Sequence, residues 1–232
     1  MKLRDFKGLF KTEKLKFISA ENVFGDYYVV RMKPGKNTNW RPGEHAIFTL
    51  PKRKVRGKKW RAFSVTSTQE ENVIQIGTRT GEVVSSFKDT LFNLPKDATV
   101  KMRGPFGWFV EQDESSPMVL IAGGVGITPI RALLLSMKDV KKKVHLIYSS
   151  SESFLFKDEI DVVAQNNKSI SISYVNTLEE TKAEIAKTSK KLGNKAFYYI
   201  SGSPSMIKGV KKDIKKLGIK GRRIINDPFF GY

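Results

Sequence analysis

Three glycines and a proline interrupt the most hydrophobic stretch of the chain, and this interruption restricts the fold more than any other feature. The segment GGVGITP, residues 123–129, follows the apolar run VLIA and precedes IRALLLSM. A strand, a glycine turn and a helix with proline in its first turn would produce this pattern. Glycines allow a ligand to approach the backbone closely, and the N–H groups at the start of a helix favour a pyrophosphate. The segment therefore predicts a phosphate-binding turn, with tight helix–sheet packing as the alternative.

The two halves of the chain differ in the pattern of their apolar segments. The first half consists of short β-branched and aromatic segments separated by turn residues, which is typical of an antiparallel barrel or sandwich. In the second half, the apolar segments MVLIAG, KVHLIYSS, SISISYVNT and AFYYISG alternate with helix-like segments, which predicts a doubly wound parallel sheet. The polar segment EQDESSP lies where one pattern gives way to the other, so we predict two domains, residues 1–112 and residues 113–232.

Composition excludes some classes of site and favours others. The 232 residues include no cysteine and two histidines, which excludes disulfides and cysteine-ligated iron–sulfur clusters and gives no indication of a metal site. The net charge of +19 favours anionic partners, with a lysine-rich solvated surface as the alternative. Residues 118–137 are nearly long enough to span a membrane, but Pro129 and Arg131 argue against it. We expect a soluble cytoplasmic protein.

A second informative segment, RAFSVTS at residues 61–67, combines a cation, an aromatic ring and hydroxyls on one predicted strand. Because side chains alternate along a strand, Arg61 and Phe63 share a face. Arginine pairs with a phosphate through two hydrogen bonds, and phenylalanine packs against flat rings. An ordinary half-buried strand is the alternative for this segment taken alone.

Taken together, these segments resemble those of ferredoxin–NADP reductase-type flavin oxidoreductases. The resemblance rests on segments that occur in the family's order: RAFSVTS (61–67), GEVVSSF (81–87), GPFGWF (104–109), GGVGITP (123–129), SGSPSM (201–206) and NDPFFGY (226–232). It implies an N-terminal FAD-binding antiparallel β-barrel and a C-terminal NAD(P)-binding α/β domain with a doubly wound parallel sheet.

The resemblance also implies which residues bind FAD (or FMN) and NADH or NADPH. Arg61 and Ser85 would hold a flavin phosphate, while Ser64, Thr128 and Ser201 would contact or position the reacting rings and are the candidate catalytic residues. The terminal aromatic residues would cover one face of the flavin or simply pack between domains. The implied cofactor-binding residues are Arg61, Ala62, Phe63, Ser64, Thr66, Gly77, Arg79, Gly81, Val84, Ser85, Ser86, Gly123, Gly124, Gly126, Thr128, Gly202, Met206, Phe229, Phe230 and Tyr232.

The sequence departs from the family pattern at two places. Ser201 stands where the family has a cysteine beside the nicotinamide, and the following proline is shifted by one place to Pro204. Three serines, residues 149–151, stand where an arginine often binds the 2′-phosphate of NADP. This second departure favours NADH, although Lys208 or Lys211 could replace the missing arginine.

The function implied is that of an enzyme that passes hydride from NAD(P)H to FAD and electrons onward to a protein acceptor. Ferredoxin, flavodoxin, and a haem or membrane reductase partner are all compatible with the resemblance. A basic surface would steer an acidic acceptor, and salt would slow that step. The alternative is a non-catalytic basic binding module of the same fold that contacts nucleic acid or an anionic membrane surface. If the chain is an enzyme of this kind, we expect it to bind no specific nucleic acid.

Overall fold

A computed structural model describes residues 3–227 of the chain. The chain divides into two compact units, and the division lies between Val110 and Glu111. Within the described residues, no helix combines the length and the apolar character needed to cross a membrane.

The N-terminal unit is built around one six-stranded antiparallel sheet, with strand order β4-β3-β6-β1-β2-β5. A 3₁₀ helix, Leu3–Phe10, precedes the sheet, a short one covers Gln69–Glu71, and one α-helix, α1, covers Ser86–Phe92. The strands are β1 (Thr12–Phe24), β2 (Tyr27–Lys33), β3 (His45–Thr49), β4 (Trp60–Ser64), β5 (Ile74–Arg79) and β6 (Thr99–Phe106).

Hydrogen bonds beyond the end of β4 connect the two edges of this sheet and close it into a barrel. The amide of Thr66 donates to the carbonyl of Gln75 at 2.8 Å, and the amide of Gln75 donates to Ser67 Oγ at 3.0 Å. Alternating side chains such as Leu15 and Phe17 of β1 point into the barrel, where their burial supplies the main stabilisation. The predicted antiparallel barrel is thus confirmed.

The C-terminal unit alternates parallel strands with helices, as predicted. Its sheet has the order β11-β10-β7-β8-β9. The elements are β7 (Met118–Gly123), α2 (Ile127–Ser136), β8 (Val144–Ser149), α3 (Lys157–Asn166), β9 (Ile170–Val175), α4 (Leu178–Leu192), β10 (Phe197–Ser201), α5 (Pro204–Lys216) and β11 (Ile224–Asn226).

The strand order determines where a ligand site is expected in this unit. From β7 the chain proceeds to β8 and β9 on one side, and it then returns to add β10 and β11 on the other. Open parallel sheets bind ligands at the carboxyl ends of the strands, at the point where this order reverses. That point lies between β7 and β10, so a ligand site is expected at the carboxyl ends of these two strands.

Candidate functional site

The glycine turn predicted from the sequence lies at the reversal point of the parallel sheet. β7 ends at Gly123, and residues 124–126 form one 3₁₀ turn that leads directly into α2. Gly124 has a φ of +50°, a left-handed conformation that residues with a side chain rarely adopt. The turn therefore follows β7 without an intervening loop, which places its backbone at the carboxyl edge of the sheet.

Close packing at this turn leaves no space for side chains on its glycines. A Cβ atom on Gly126 would lie 2.3 Å from the carbonyl oxygen of Ser201, at the end of β10. A Cβ on Gly123 would lie 2.0 Å from the Sδ atom of Met206, and one on Gly202 would lie 2.6 Å from the same sulfur. The two predicted nucleotide-binding segments, 123–126 and 201–206, are thus brought together by backbone contact.

The first turn of α2 differs from the first turns of α4 and α5. Thr177 and Ser203 cap α4 and α5 through side-chain oxygens, whereas α2 follows Gly126 with no side-chain cap. Thr128 lies in this first turn and is buried. Because no side chain caps the start of α2, its first N–H groups can donate hydrogen bonds to an anionic group of a ligand.

Ser201 has a specific polar partner. Its side chain is fully buried, and its hydroxyl donates to the Oδ2 atom of Asp227 at 3.2 Å. Asp227 is also buried, and its amide donates to the carbonyl of Ile200 at 3.0 Å. The Ser201 hydroxyl therefore fixes the residue that follows β11 against the end of β10.

An apolar groove of about 780 Å³ opens beside the glycine turn, between α4 and α5. Met206 lies at the turn end of the groove, together with Ser149, the last residue of β8. Thr181 of α4 donates to the Ser149 hydroxyl at 3.0 Å. A second concavity of about 600 Å³ lies on the other side of α5, where Lys208 contributes to the lining and Lys211 donates to the side-chain oxygen of Asn226 at 2.9 Å.

In the N-terminal unit, Arg61 lies on β4 with its guanidinium group 5.5 Å from the ring of Phe87. One guanidinium nitrogen donates to the backbone carbonyls of Lys58 and Trp60, each at 2.9 Å, which restricts the position of the side chain. Phe63 is buried in the barrel core, where its ring also lies near that of Phe87. The two residues share a face, as predicted, but Phe63 contacts the core.

The opposite face of β4 presents Ala62 and Ser64, which are both half-buried. Thr66, two residues beyond the strand, is fully buried and accepts a hydrogen bond from the side-chain amide of Gln75 at 3.1 Å. Thr66 therefore belongs to the hydrogen bonds that close the barrel, while Ala62 and Ser64 are the accessible members of the segment.

The end of β5 and the following turn are joined by one carboxylate. Arg79 donates to both oxygens of Asp26, at 2.9 and 3.2 Å, and the amide of Gly81 donates to the same group at 2.9 Å. Burial acts to raise the pKa of Asp26, but these donors outweigh it and the pKa lies below its ordinary value. Gly77, farther back on β5, is buried opposite Val29 of β2.

In the turn that leads from β5 to α1, Val84 is exposed, and the two serines that follow it accept hydrogen bonds from backbone amides. Ser85 caps α1 by accepting from the amide of Lys88 at 3.4 Å, and Ser86 Oγ accepts from the amide of Arg56 at 3.0 Å. The second contact holds the basic loop that precedes β4, residues 51–59, next to the start of α1.

Lys88 brings a further cation to this turn. It is 8% exposed, and its ammonium group donates to the backbone carbonyl of Arg79. Burial lowers the pKa of Lys88, and the positive charge of Arg61 lowers it further. The cations Arg61 and Lys88 and the Arg79–Asp26 ion pair thus lie beside residues 81–86, which leaves an excess of positive charge suited to an anion.

Comparisons with known proteins agree with this geometry. A family model described as an oxidoreductase NAD-binding domain matches residues 120–212, which contain both segments of the reversal point. NADH-cytochrome b5 reductase 2 of Candida albicans is 30% identical over 138 residues, covering 52% of this chain and 46% of that protein. The toluate 1,2-dioxygenase electron transfer component of Pseudomonas putida is 23% identical over 201 residues, covering 81% of this chain and 58% of that protein.

Residues 120–212 thus match an oxidoreductase NAD-binding domain, and the fold is that of ferredoxin–NADP reductase-type oxidoreductases. A solved ferredoxin-NADP+ reductase from Plasmodium falciparum shares the fold, with a TM-score of 0.77 at 17% identity, covering 93% of this chain and 95% of that one. The chain spans about half the length of the curated relatives it matches, 46% and 58% for the two named above.

Two residues join the candidate sites although no motif indicated them. Lys88 directly follows the GEVVSSF segment, and a single lysine carries no signal in so basic a sequence. Asp227 lies in NDPFFGY, a segment that drew attention for its aromatic residues. Both become visible only when the fold brings distant segments into contact.

Three of the predicted site residues, Phe229, Phe230 and Tyr232, lie outside the described residues. The other predicted residues fall into two groups, one in each unit. In the N-terminal unit Arg61, Arg79 and residues 81–86 lie near the start of α1, whereas Phe63, Thr66 and Gly77 are buried in the barrel. In the C-terminal unit residues 123–126 meet residues 201–206 at the reversal point of the sheet.

Proposed function

We propose that the chain is a flavin-dependent oxidoreductase that passes hydride from NAD(P)H to bound FAD and then electrons to a protein acceptor. The observation that carries the proposal is the contact between the Gly123–Gly126 turn and Ser201–Gly202, at the reversal point of a doubly wound sheet. The glycines let the two strand ends pack this closely, and the reversal point of an open parallel sheet is where such folds bind their ligands. Domain assignments follow: residues 1–112 for the flavin and residues 113–232 for the nicotinamide nucleotide.

The nicotinamide nucleotide would lie with its pyrophosphate over the turn of Gly123, Gly124 and Gly126. The uncapped first turn of α2 supplies N–H donors and a favourable dipole there. The adjoining groove, with its mainly apolar lining and the hydroxyl of Ser149 at its end, suits an adenosine. The serines at 149–151 place no arginine there for a 2′-phosphate, which favours NADH, while Lys208 remains the alternative contact for NADPH.

The flavin phosphates would bind at the turn of residues 81–86, next to Arg61, Arg79 and Lys88. Arg61 and the buried Lys88, whose positive charges repel each other, fit a group with two negative charges, while Arg79 is already paired with the Asp26 carboxylate. When bound, FAD supplies the chemistry, since it accepts hydride and releases electrons singly. FAD is preferred to FMN from the resemblance, because the phosphate groups of both carry about two negative charges.

The remaining predicted residues receive positioning roles in this proposal. Ala62 and Ser64 present the accessible face of β4 to the flavin ring or its ribityl chain. Thr128 and Ser201 organise the nicotinamide side of the site, and Ser201 acts through the Asp227 carboxylate that it holds. For the terminal aromatic residues we keep the role implied by the family, which is to cover the flavin.

The acceptor would be an acidic electron-transfer protein such as a ferredoxin or flavodoxin, or a haem or membrane reductase partner. The net charge of +19 supports an acidic surface on that partner. The basic loop before β4 adds to this field, since Lys52, Arg53, Lys54 and Lys58 are all exposed. A cytoplasmic location is part of the same proposal.

Flavin reconstitution tests the proposal directly. The purified full-length chain is titrated with FAD and FMN, and the complex is then mixed with NADH or NADPH while absorbance near about 450 nm is followed. We expect tight FAD binding and loss of the flavin band with NADH, more slowly with NADPH. Failure to bind either flavin would overturn the proposal. Salt-sensitive DNA binding by a colourless protein would support a non-catalytic basic module instead.

A further inference from the structure

The sulfur atoms of this chain are confined to methionines, because the sequence contains six methionines and no cysteine. Four of the methionines between residues 3 and 227 are sealed in the cores of the two units, each at most 1% exposed: Met32, Met102, Met118 and Met137. Among the described residues, Met206 is the methionine that reaches the surface, where it lines the groove between α4 and α5. Of the five methionines between residues 3 and 227, an oxidant in solution would therefore reach this one first.

The position of the Met206 sulfur connects it to the proposed nucleotide site. Its Sδ atom lies so close to Gly123 and Gly202 that a Cβ on either glycine would come within 2.0 and 2.6 Å of it. The residue lies in the first turn of α5, and its amide donates to the capping hydroxyl of Ser203 at 3.3 Å. The thioether thus forms part of the wall behind the glycine turn.

We propose that Met206 is a modification site for hydrogen peroxide, and that its sulfoxide weakens binding of the nicotinamide nucleotide. The inference rests on the proposed function of the glycine turn and adds regulation to it. In the reaction the O–O bond of the peroxide breaks, one oxygen bonds to Sδ, and the other leaves as water. The sulfur loses two electrons, the peroxide gains them, and sulfoxide reductases reverse the change.

Either orientation of the new oxygen disturbs the site. An oxygen directed at Gly123 or Gly202 has no space, because the sulfur already lies against their backbone. An oxygen directed at the groove places a strongly polar atom among apolar side chains such as those of Ile185 and Val210. In both cases the wall of the turn moves or the groove loses its apolar character, so the nucleotide binds less well.

The test combines site mapping with a binding measurement. The full-length protein is treated with dilute hydrogen peroxide, and its methionine-containing peptides are analysed by mass spectrometry. We expect one added oxygen at Met206 while the four buried methionines stay unmodified. NADH titrations before and after treatment should show affinity lower by about tenfold, recovered after incubation with methionine sulfoxide reductases.

Two variants assign the effect to this sulfur. Peroxide should leave the NADH affinity of Met206→Leu at the value measured for that variant before treatment. The matched control Met137→Leu, which removes a buried methionine, should respond to peroxide as the wild type does. Oxidation of Met32, Met102, Met118 or Met137 before Met206, or a Met206 sulfoxide that binds NADH as the untreated protein does, would overturn the inference. Untreated protein that binds no nicotinamide nucleotide would overturn the proposed function as well.

Discussion

The two proposed phosphate sites of this protein would stabilise a bound anion by different means. In the N-terminal unit, the turn of residues 81–86 is surrounded by the cationic side chains of Arg61, Arg79 and Lys88. In the C-terminal unit, residues 118–129 contain no charged side chain, and the turn relies on backbone donors and on glycines packed against Ser201. One site is therefore built from side-chain charge and the other from backbone geometry.

The difference follows from the architecture of each unit. In the barrel unit, Arg61 and Arg79 are half-buried residues near strand ends and Lys88 lies in the first turn of α1, so side chains can bring cations to a bound anion. A parallel strand such as β7 is covered on both faces and reads as a continuous apolar run, so a ligand reaches only the backbone at its end. The affinity of the charge-built site should therefore depend on salt and pH. The affinity of the backbone-built site should instead depend on the volume of the side chains at its glycine positions.

The largest effect is expected from Gly126→Ala. The new Cβ would meet the Ser201 carbonyl oxygen at 2.3 Å, so the turn or the end of β10 has to move. We expect the free energy of unfolding to fall by about 1–3 kcal/mol and NADH affinity to fall more than about tenfold. Calorimetry and NADH titration measure the two changes.

Gly221→Ala is the matched control for that substitution. Gly221 begins the 3₁₀ turn before β11, and a Cβ there meets no neighbouring atom within 4 Å. Alanine should therefore leave the free energy of unfolding unchanged or raise it by up to about 1 kcal/mol. If Gly126→Ala bound NADH as tightly as Gly221→Ala does, the geometric account of the sheet site would be wrong.

The second largest effect concerns charge. Arg61→Gln removes the cation from β4 and should weaken FAD binding by about tenfold, or about 1.4 kcal/mol, while NADH binding stays unchanged. The wild-type affinity for FAD should fall with added salt more steeply than the affinity for NADH, because side-chain charges are screened. Titrations at low and high ionic strength measure both slopes. Arg53→Gln, an exposed change in the neighbouring loop, should alter FAD affinity less, and equal losses in the two variants would refute a specific role for Arg61.

The sequence predicted the backbone-built site more completely than the charge-built one. Gly123, Gly126 and Gly202 are recognisable because a glycine turn after a buried strand has few structural explanations. Lys88 is one lysine among many, and its burial beside Arg61 depends on how α1 packs against β4 and β5. Tertiary contacts of this kind leave no periodic trace in the sequence.

Burial also separates residues that the motif treats alike. Within RAFSVTS, Arg61 and Ser64 lie at accessible positions, whereas Phe63 lies in the barrel core and Thr66 helps to close the barrel. Strand alternation predicted that Arg61 and Phe63 share a face, but not how deep each would lie. The depth is set by the curvature of the whole sheet, which brings the end of β4 next to β5.

A smaller effect is expected from Ser201→Ala, which removes one buried hydrogen bond to Asp227. The free energy of unfolding should fall by about 0.5–1.5 kcal/mol. Because the serine acts through Asp227, the rate of flavin reduction in stopped-flow mixing should fall by a few-fold while FAD affinity is unchanged. The exposed change Ser115→Ala serves as the control. A reduction rate identical to that of the wild type would remove Ser201 from the nicotinamide site.

The smallest effect is a pH dependence confined to the N-terminal site. Burial and then the charge of Arg61 lower the pKa of Lys88 from its ordinary value of 10.5, so the folded protein releases this proton before the unfolded chain does. In that window below pH 10.5 the unfolded chain binds more protons, and the free energy of unfolding rises with pH. The wild type should therefore gain stability over Lys88→Met as the pH rises toward that value.

Chemical denaturation of both proteins at a series of pH values measures this difference, and the exposed change Lys96→Met should show no such trend. Saturating FAD should reduce the trend, because phosphate charge beside Lys88 raises its pKa again and restores the proton. NADH should not, because residues 118–129 contain no titratable side chain. A trend that NADH suppresses as strongly as FAD would show that the two sites are not electrostatically distinct, and the contrast between charge and geometry would fail.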